Sequence, residues 1–384
     1  MRFDFATVTK IVFGPGSLNE SGAAIAAFGK RALVVGGVNV ERVAPLFEVL
    51  KAQGVEYAFY GVTGEPSIQV AQQGAEQARA FGAEFVIGFG GGSAMDAAKA
   101  VSALLTNSGD VMDYLEVIGR GQPLKAAAAP LVTIPTTSGT GSEVTSNAVL
   151  YSPEHQVKVS LRSPRMLAKL AIVDSRLTHS SPPSVTAQSG LDALTQVIEP
   201  YTCNKTNPIT DALCRDGIQR AARSLKRAYN NPDDAAARED MALASLFGGF
   251  ALSNAKLGAV HGFAGPFGGM FDAPHGGVCA RLLPFVMAMN VRALRERQAE
   301  SATLARYDEV ARLLTGHPGA VAADGVQFVS ELCAALQIPP LGSYGIVEAD
   351  YPALIEKAAV ASSMQGNPIV LTKDELREIL VQAQ

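Results

Sequence analysis

Two of the five histidines in this chain, His261 and His275, lie fourteen residues apart in one glycine-rich stretch, AVHGFAGPFGGMFDAPHGGVCA, while His155, His179 and His317 are scattered. Upstream, SGLDALTQVIEPY (189–201) places Asp192 and Gln196 four positions apart, hence on one face of a helix. A carboxylate, an amide and two imidazoles are donors that a divalent cation accepts. Leu191, Leu194, Val197 and Ile198 surround Asp192 and mark its helix as buried, and a buried carboxylate needs a cation, a proton or several donors. A metal would meet that need. So would a buried histidine or a backbone N–H, and the residues alone leave both open.

A second group of residues suits phosphate. EFVIGFGGGSAMDAAKA runs from a β-branched strand into Gly90, Gly91, Gly92 and Ser93, then into a helix carrying Asp96 and Lys99. Glycines let backbone N–H groups approach an anion, and a helix N-terminus adds positive partial charge, so the layout fits a diphosphate. It is neither the GxGxxG fingerprint nor a Walker A loop, and a tight turn between strand and helix would read the same way. The stretch TIPTTSGTGSEVTSNAVL gathers Thr136, Thr137, Thr140 and Ser142 after another strand, where small hydroxyls can bond phosphate, ribose or amide. Gly36 and Gly37 close an earlier strand. Together these loops point to a dinucleotide at the edge of a sheet.

The elements that must position these residues fall into two kinds. Strand-like runs at 31–37, 56–61, 84–92, 129–135 and 170–174 alternate with amphipathic stretches closed by glycine, which argues a parallel sheet covered by helices. After THSSPPSV (178–185) the β signal fades, and helices are expected at 184–203, 207–229, 233–255, 256–270, 276–295, 301–315, 318–336, 350–363 and 373–382. The expected domains are therefore an α/β dinucleotide-binding domain, 1–178, with a Rossmann-like parallel sheet, and an all-helical metal and substrate domain, 179–384.

Composition bounds the function. Of 384 residues 48% are apolar and 18% charged, an ordinary folded protein. The net charge of −4 comes from 32 basic and 36 acidic residues without a basic cluster, so no nucleic-acid partner is expected. No uninterrupted apolar run approaches a membrane span, and MRFDFATVTKIVFGPGSL has no long apolar core of a signal peptide, so a cytoplasmic protein is expected. Cys203, Cys214, Cys279 and Cys333 form no CxxC pair and read as free structural thiols.

The motifs FGPGSL, GGGSAMDAAKA, IPTTSGTGSEVT, AIVDSRLTHSSPPSVTAQSGLDALTQVIEPY, NPITDAL and GAVHGFAGPFGGMFDAPHGGVCARLLP occur in this order over nearly the whole chain. In them the chain resembles the iron-dependent (group III) alcohol dehydrogenases, of the dehydroquinate synthase-like fold. The resemblance implies an N-terminal α/β domain, a C-terminal helical domain and a metal, Fe2+ or Zn2+, in the cleft between them. It implies NAD or NADP as cofactor, with Gly91, Gly92 and Ser93 on the diphosphate. Thr136, Thr137, Thr140 and Ser142 would line the cofactor, and Lys158 would reach the nicotinamide-ribose side; Asp96, on the helix after the glycines, and Gly36 and Gly37 are further cofactor-binding candidates. The metal ligands fall on Asp192, Gln196, His261 and His275, with Asp192, His261 and His275 also catalytic. The implied activity is hydride transfer interconverting a small aldehyde or ketone with its alcohol, by a homodimer.

Three positions depart from the family pattern. Gln196 stands where a histidine is usual, so the metal is expected to be held by Asp192, His261 and His275 with Gln196 or water fourth, to be weak and exchangeable, or to be absent. Without a metal, a histidine would polarise the carbonyl, which resembles the maleylacetate reductases. Gly265 replaces a histidine often assigned to proton relay, leaving water, a ribose hydroxyl or another side chain. Gly36-Gly37-Val38-Asn39 lacks the aspartate that repels a 2′-phosphate, so NADP is admitted beside NAD. Two other classes compete: a dehydroquinate synthase-type lyase, for which no cluster of Lys, Arg and His lies near His261 or His275, and a non-catalytic nucleotide-binding relative.

Overall fold

A computed structural model describes residues 2–384. The chain divides into two compact units, one of Ala6–Thr137 with Gly141–His179, the other of the N-terminal residues through Phe5, Ser138–Thr140 and Ser180–Gln384.

The first unit is α/β. Its elements in chain order are β1 (Ile11–Phe13), α1 (Ser17–Glu20), α2 (Gly22–Ala26), β2 (Arg31–Gly37), α3 (Val40–Ala52), β3 (Glu56–Val62), α4 (Ile68–Phe81), β4 (Phe85–Gly90), α5 (Gly92–Thr106), β5 (Leu131–Pro135), β6 (Asn147–Ser152), β7 (Val157–Arg162) and β8 (Leu170–Val173). Six strands form one sheet in the order β1-β8-β5-β4-β2-β3, every pair parallel. Such a sheet is covered on both faces, which is why β4, FVIGFG, is buried along its whole length rather than alternating. The chain lays β3 on one side of β2 and then returns to lay β4 on the other. The carboxyl ends of β2 and β4 therefore flank the point where strand order reverses, the place where α/β sheets bind ligands.

Three strands, β1, β6 and β7, had no counterpart among the strand-like runs of the sequence. β6 and β7 form a separate antiparallel hairpin, Asn147 opposite Arg162 and Ser152 opposite Val157. The strict alternation of buried and half-buried residues in β6 is a strand signature, but it begins inside the hydroxyl-rich run and was legible there only as loop.

The second unit is helical: α6 (Pro183–Thr202), α7 (Pro208–Asn230), α8 (Ala235–Asn254), α9 (Ala259–Met270), α10 (His275–Arg297), α11 (Ala302–Thr315), α12 (Ala322–Ala335), α13 (Tyr351–Ala359) and α14 (Lys373–Ala383). α7 starts where Asn207 accepts hydrogen bonds from the N–H groups of Ile209 and Thr210, with Pro208 in the first turn, two start signals together. α10 is long and apolar enough to cross a membrane by length and composition, yet 78% of its apolar window is buried in protein, which makes it a core helix. Leu191, Leu194, Val197 and Ile198 of α6 share one core with Phe263 and Phe267 of α9 and Val278 and Leu282 of α10. This packing fixes the three helices that carry the chemistry; truncating one such leucine costs roughly 2–5 kcal/mol.

Candidate active site

Within the helical unit, α6, α9 and α10 converge. Asp192 and Gln196 project from α6, His261 lies in the first turn of α9, His275 opens α10, and Cys279 follows one turn later on the same face. Asp192 Oδ1 lies 3.4 Å from His261 Nε2 and 4.0 Å from His275 Nε2. Cys279 Sγ lies 3.6 Å from His275 Nε2. One donor atom from each of Asp192, His261, His275 and Cys279 falls within 4.8 Å of all the others. Asp192 is 2% exposed, and its Oδ1 has no hydrogen-bond partner of good geometry.

The surroundings hold these atoms. Glu199, one further turn along α6, accepts from His261 Nδ1 at 2.7 Å through Oε2 and from the Val260 N–H at 2.7 Å through Oε1. With Nδ1 committed to a carboxylate, His261 presents Nε2 to the cluster. Asp192 Oδ2 accepts from Gln196 Nε2 at 3.2 Å, and the same amide nitrogen donates to the Gly139 carbonyl at 2.9 Å. Only glycine fits at 139: a Cβ there would sit 2.7 Å from the Ser189 Cβ and 3.0 Å from the Ser189 backbone.

The charges are strongly coupled. Burial pushes the Asp192 carboxyl up, but the imidazoles of His261 and His275 outweigh it, and the net displacement is downward. Burial pulls the two imidazoles down, yet the Cys279 sulfur and Asp192 beside them win, so both move up, His261 far above its usual range with Glu199 assisting. A cation in place of those protons would satisfy the orphaned Oδ1, both Nε2 atoms and the sulfur at once. The residues therefore fit a divalent metal.

The structure brings Asp192, His261 and His275 together. Gln196 abuts them, but its amide nitrogen faces two acceptors, so nitrogen rather than oxygen must point that way. Two participants escaped the sequence reading. Glu199 stands seven residues after Asp192 and so shares its helical face, and Cys279 stands four after His275; an acid in an apolar helix and the HxxxC spacing were the available signals.

Gly36, Gly37, Gly91, Gly92, Ser93, Thr136 and Thr137 lie at or just after the carboxyl ends of β2, β4 and β5. Gly36 pairs with Phe89 and Gly90 with Pro135, so the loops after β2, β4 and β5 are neighbours. Gly90 has φ +152°, and a Cβ there would meet the Ala94 Cβ at 2.7 Å, so the tight entry to α5 requires glycine. Gly91 caps α5 without a side-chain hydrogen bond, so no side chain of the cap residue covers the N–H groups around Gly92 and Ser93. Thr136 and Thr137 follow β5. Thr140 groups with the helical unit and Ser142 with the α/β unit. Asp96 accepts from Ser142 Oγ at 2.6 Å and from the Val149 N–H at 3.0 Å, with Lys99 Nζ 3.0 Å away. Lys158, on β7, pairs with Glu65 at 3.1 Å. After β2, Asn39 caps α3 by accepting from the Glu41 N–H, and no acidic residue stands at Gly36-Gly37-Val38-Asn39.

Comparison with known proteins identifies the family. Residues 8–175 match the family "Iron-containing alcohol dehydrogenase" and residues 186–384 the "Fe-containing alcohol dehydrogenase family, C-terminal". The chain is 33% identical to sulfoacetaldehyde reductase of Bilophila wadsworthia, over 99% of this chain and 98% of that protein. The crystal structure of a 1,3-propanediol oxidoreductase superposes with a TM-score of 0.91 at 31% identity, covering 100% of both chains. Sulfoacetaldehyde reductase from Bifidobacterium kashiwanohense, solved in complex with NAD+, gives a TM-score of 0.88 at 26% identity over 100% of this chain and 99% of that one. The chain, an oxidoreductase with the dehydroquinate synthase-like fold, belongs to the iron-containing (group III) alcohol dehydrogenase family.

Proposed function

We propose that the protein interconverts a small aldehyde or ketone with its alcohol, using NAD or NADP and a divalent cation. The observation that carries this reading is the buried Oδ1 of Asp192, which faces two imidazole nitrogens without a hydrogen bond of good geometry. When bound, the cation supplies Lewis acidity to the substrate oxygen and the nicotinamide supplies or accepts the hydride.

The chain's own residues do the rest. Asp192 would neutralise the cation, and His261 and His275 would hold it, with Glu199 fixing the tautomer of His261. The His275 side chain, 33% exposed, is the open side of an otherwise buried cluster, so the substrate oxygen would enter there. Gly91, Gly92 and Ser93 would hold the diphosphate through their N–H groups, with Gly36, Gly37, Thr136, Thr137, Thr140 and Ser142 around the dinucleotide. Asp96 and Lys158 are committed to protein partners and would shape those loops. Gly265 offers no side chain to relay a proton, so water or a ribose hydroxyl would carry it. The four cysteines are buried and free, which suits a reducing cytoplasm, and a homodimer is the expected assembly.

The test is oxidation of NADH and NADPH with a panel of short aldehydes and ketones, with and without added metal; inactivity across the panel under both conditions would overturn the proposal. A second reading has its own support. His261, held between Asp192 and Glu199 and displaced far upward, could donate a proton to the carbonyl without a metal, and full activity after exhaustive chelation would favour it.

A further inference from the structure

The sequence reading placed Cys279 among structural thiols and Gln196 among the ligands. The geometry points to the reverse. We infer that the Cys279 sulfur is the fourth protein ligand of the centre and that Gln196 clamps Asp192, giving an Asp–His–His–Cys set suited to Zn2+ over Fe2+. This rests on the metal in the proposed function.

Cys279 is fully buried, and it stands four residues after His275 on α10, so the two side chains share a face. Its sulfur is 3.6 Å from His275 Nε2 and within 4.8 Å of the facing atoms of Asp192 and His261. The other cysteines have ordinary surroundings: Cys333 donates to the Ala280 carbonyl, and Cys203 accepts from the Lys205 N–H.

Gln196 is committed elsewhere. Exchanging its amide nitrogen and oxygen would set an oxygen against the Gly139 carbonyl and the Asp192 carboxylate, two acceptors at 2.9 and 3.2 Å. Its donation to Oδ2 leaves Oδ1 as the carboxylate oxygen aimed into the cluster.

Charge and softness then decide the metal. A thiolate and a carboxylate together neutralise a dication, with the thiol proton released to solvent on binding. Thiolate is a soft ligand that zinc accepts readily in mixed sets with imidazole and carboxylate, and zinc can expand its coordination to admit a substrate oxygen.

The test strips the purified protein with a chelator and reloads it with Co2+. One cobalt per chain with a near-ultraviolet sulfur-to-cobalt charge-transfer band is expected. The band should vanish in Cys279→Ser and persist in Cys203→Ser. In Gln196→Leu the band should also persist while metal affinity falls roughly 10- to 100-fold, as for loss of a residue that orients a ligand. Cadmium-113 NMR of the unmodified protein, where a thiolate moves the resonance downfield, gives the answer should Cys279→Ser fail to fold. Stoichiometric cobalt without the band, a band that survives in Cys279→Ser, or no cobalt bound would each overturn the assignment. NADH-dependent carbonyl reduction by the same samples separates that failure from failure of the dehydrogenase reading, since turnover does not require Cys279 to be a ligand.

Discussion

Glu199 touches no substrate in this reading, yet it sets which nitrogen of His261 faces the cluster. It accepts from both His261 Nδ1 and the Val260 N–H, and a glutamine has only one acceptor oxygen for those two donors. Glu199→Gln is therefore expected to lower metal affinity roughly 10- to 100-fold, read by competition with a chromophoric chelator; unchanged affinity would mean the imidazole is oriented by packing alone. Glu143 gives a prediction independent of metal. Burial, against its own N–H and Lys99, raises its carboxyl from 4.5 to about 7. A folded-state value above the unfolded one means the contribution is fully present below pH 4.5 and is lost as pH rises through about 7. Relative to Glu143→Gln, the wild type should thus lose about 3 kcal/mol of stability across that window, at about 1.4 kcal/mol per unit. Parallel urea-midpoint profiles for the two proteins would show that the carboxyl is ionised in the fold. At this scale the sequence was half legible. Asp192, His261 and His275 stood out because polar residues in apolar helices need a reason. Cys279 did not, because a cysteine in an apolar helix already reads as core, and only a neighbour from another helix reveals its partners.

In the proposed function the glycines ending β2 would bear on cofactor choice, at the level of the strand end. Gly37 has nothing within 4 Å of where a Cβ would stand, so a carboxylate can be accommodated there without moving the sheet. Gly37→Asp places a negative charge where a 2′-phosphate would approach and an acceptor where a ribose 2′-hydroxyl would lie. The expected outcome is a fall in the NADPH-to-NADH ratio of kcat/KM by at least about tenfold, equivalent to about 1.4 kcal/mol; an unchanged ratio would place the ribose away from β2. Elements were more legible than residues where caps and breakers are strong. The helix expected at 207–229 is Pro208–Asn230, because Asn207 and Pro208 both signal its start. The one expected at 318–336 begins only at Ala322, after the His317–Ala320 turn in which His317 Nδ1 accepts from the Gly319 N–H. β6 was hidden because its alternation overlaps a run whose hydroxyls serve loops equally well, whereas β7, VKVSLR, lies beyond that run and its apolar–polar alternation was the available signal.

Each of the two units has its own core, and the two halves of the proposed chemistry are divided between them. The cluster of Asp192, His261, His275 and Cys279 lies wholly in the helical unit, whereas the loops after β2, β4 and β5 through Thr137 lie in the α/β unit. A cation that binds only the folded helical unit stabilises it by RT ln(1 + [L]/Kd), about 4 kcal/mol when the free metal exceeds its Kd a thousandfold. Chelation is therefore expected to abolish carbonyl reduction and to lower the unfolding temperature of one calorimetric transition, while fluorescence titration still detects NADH binding and NADH raises the other transition. Loss of NADH binding together with the metal would show that the nucleotide loops depend on the cation for their order. If chelation moved neither transition nor turnover, Asp192 would be balanced in the working protein by a protonated His261, and the reduction would run on that imidazole's proton.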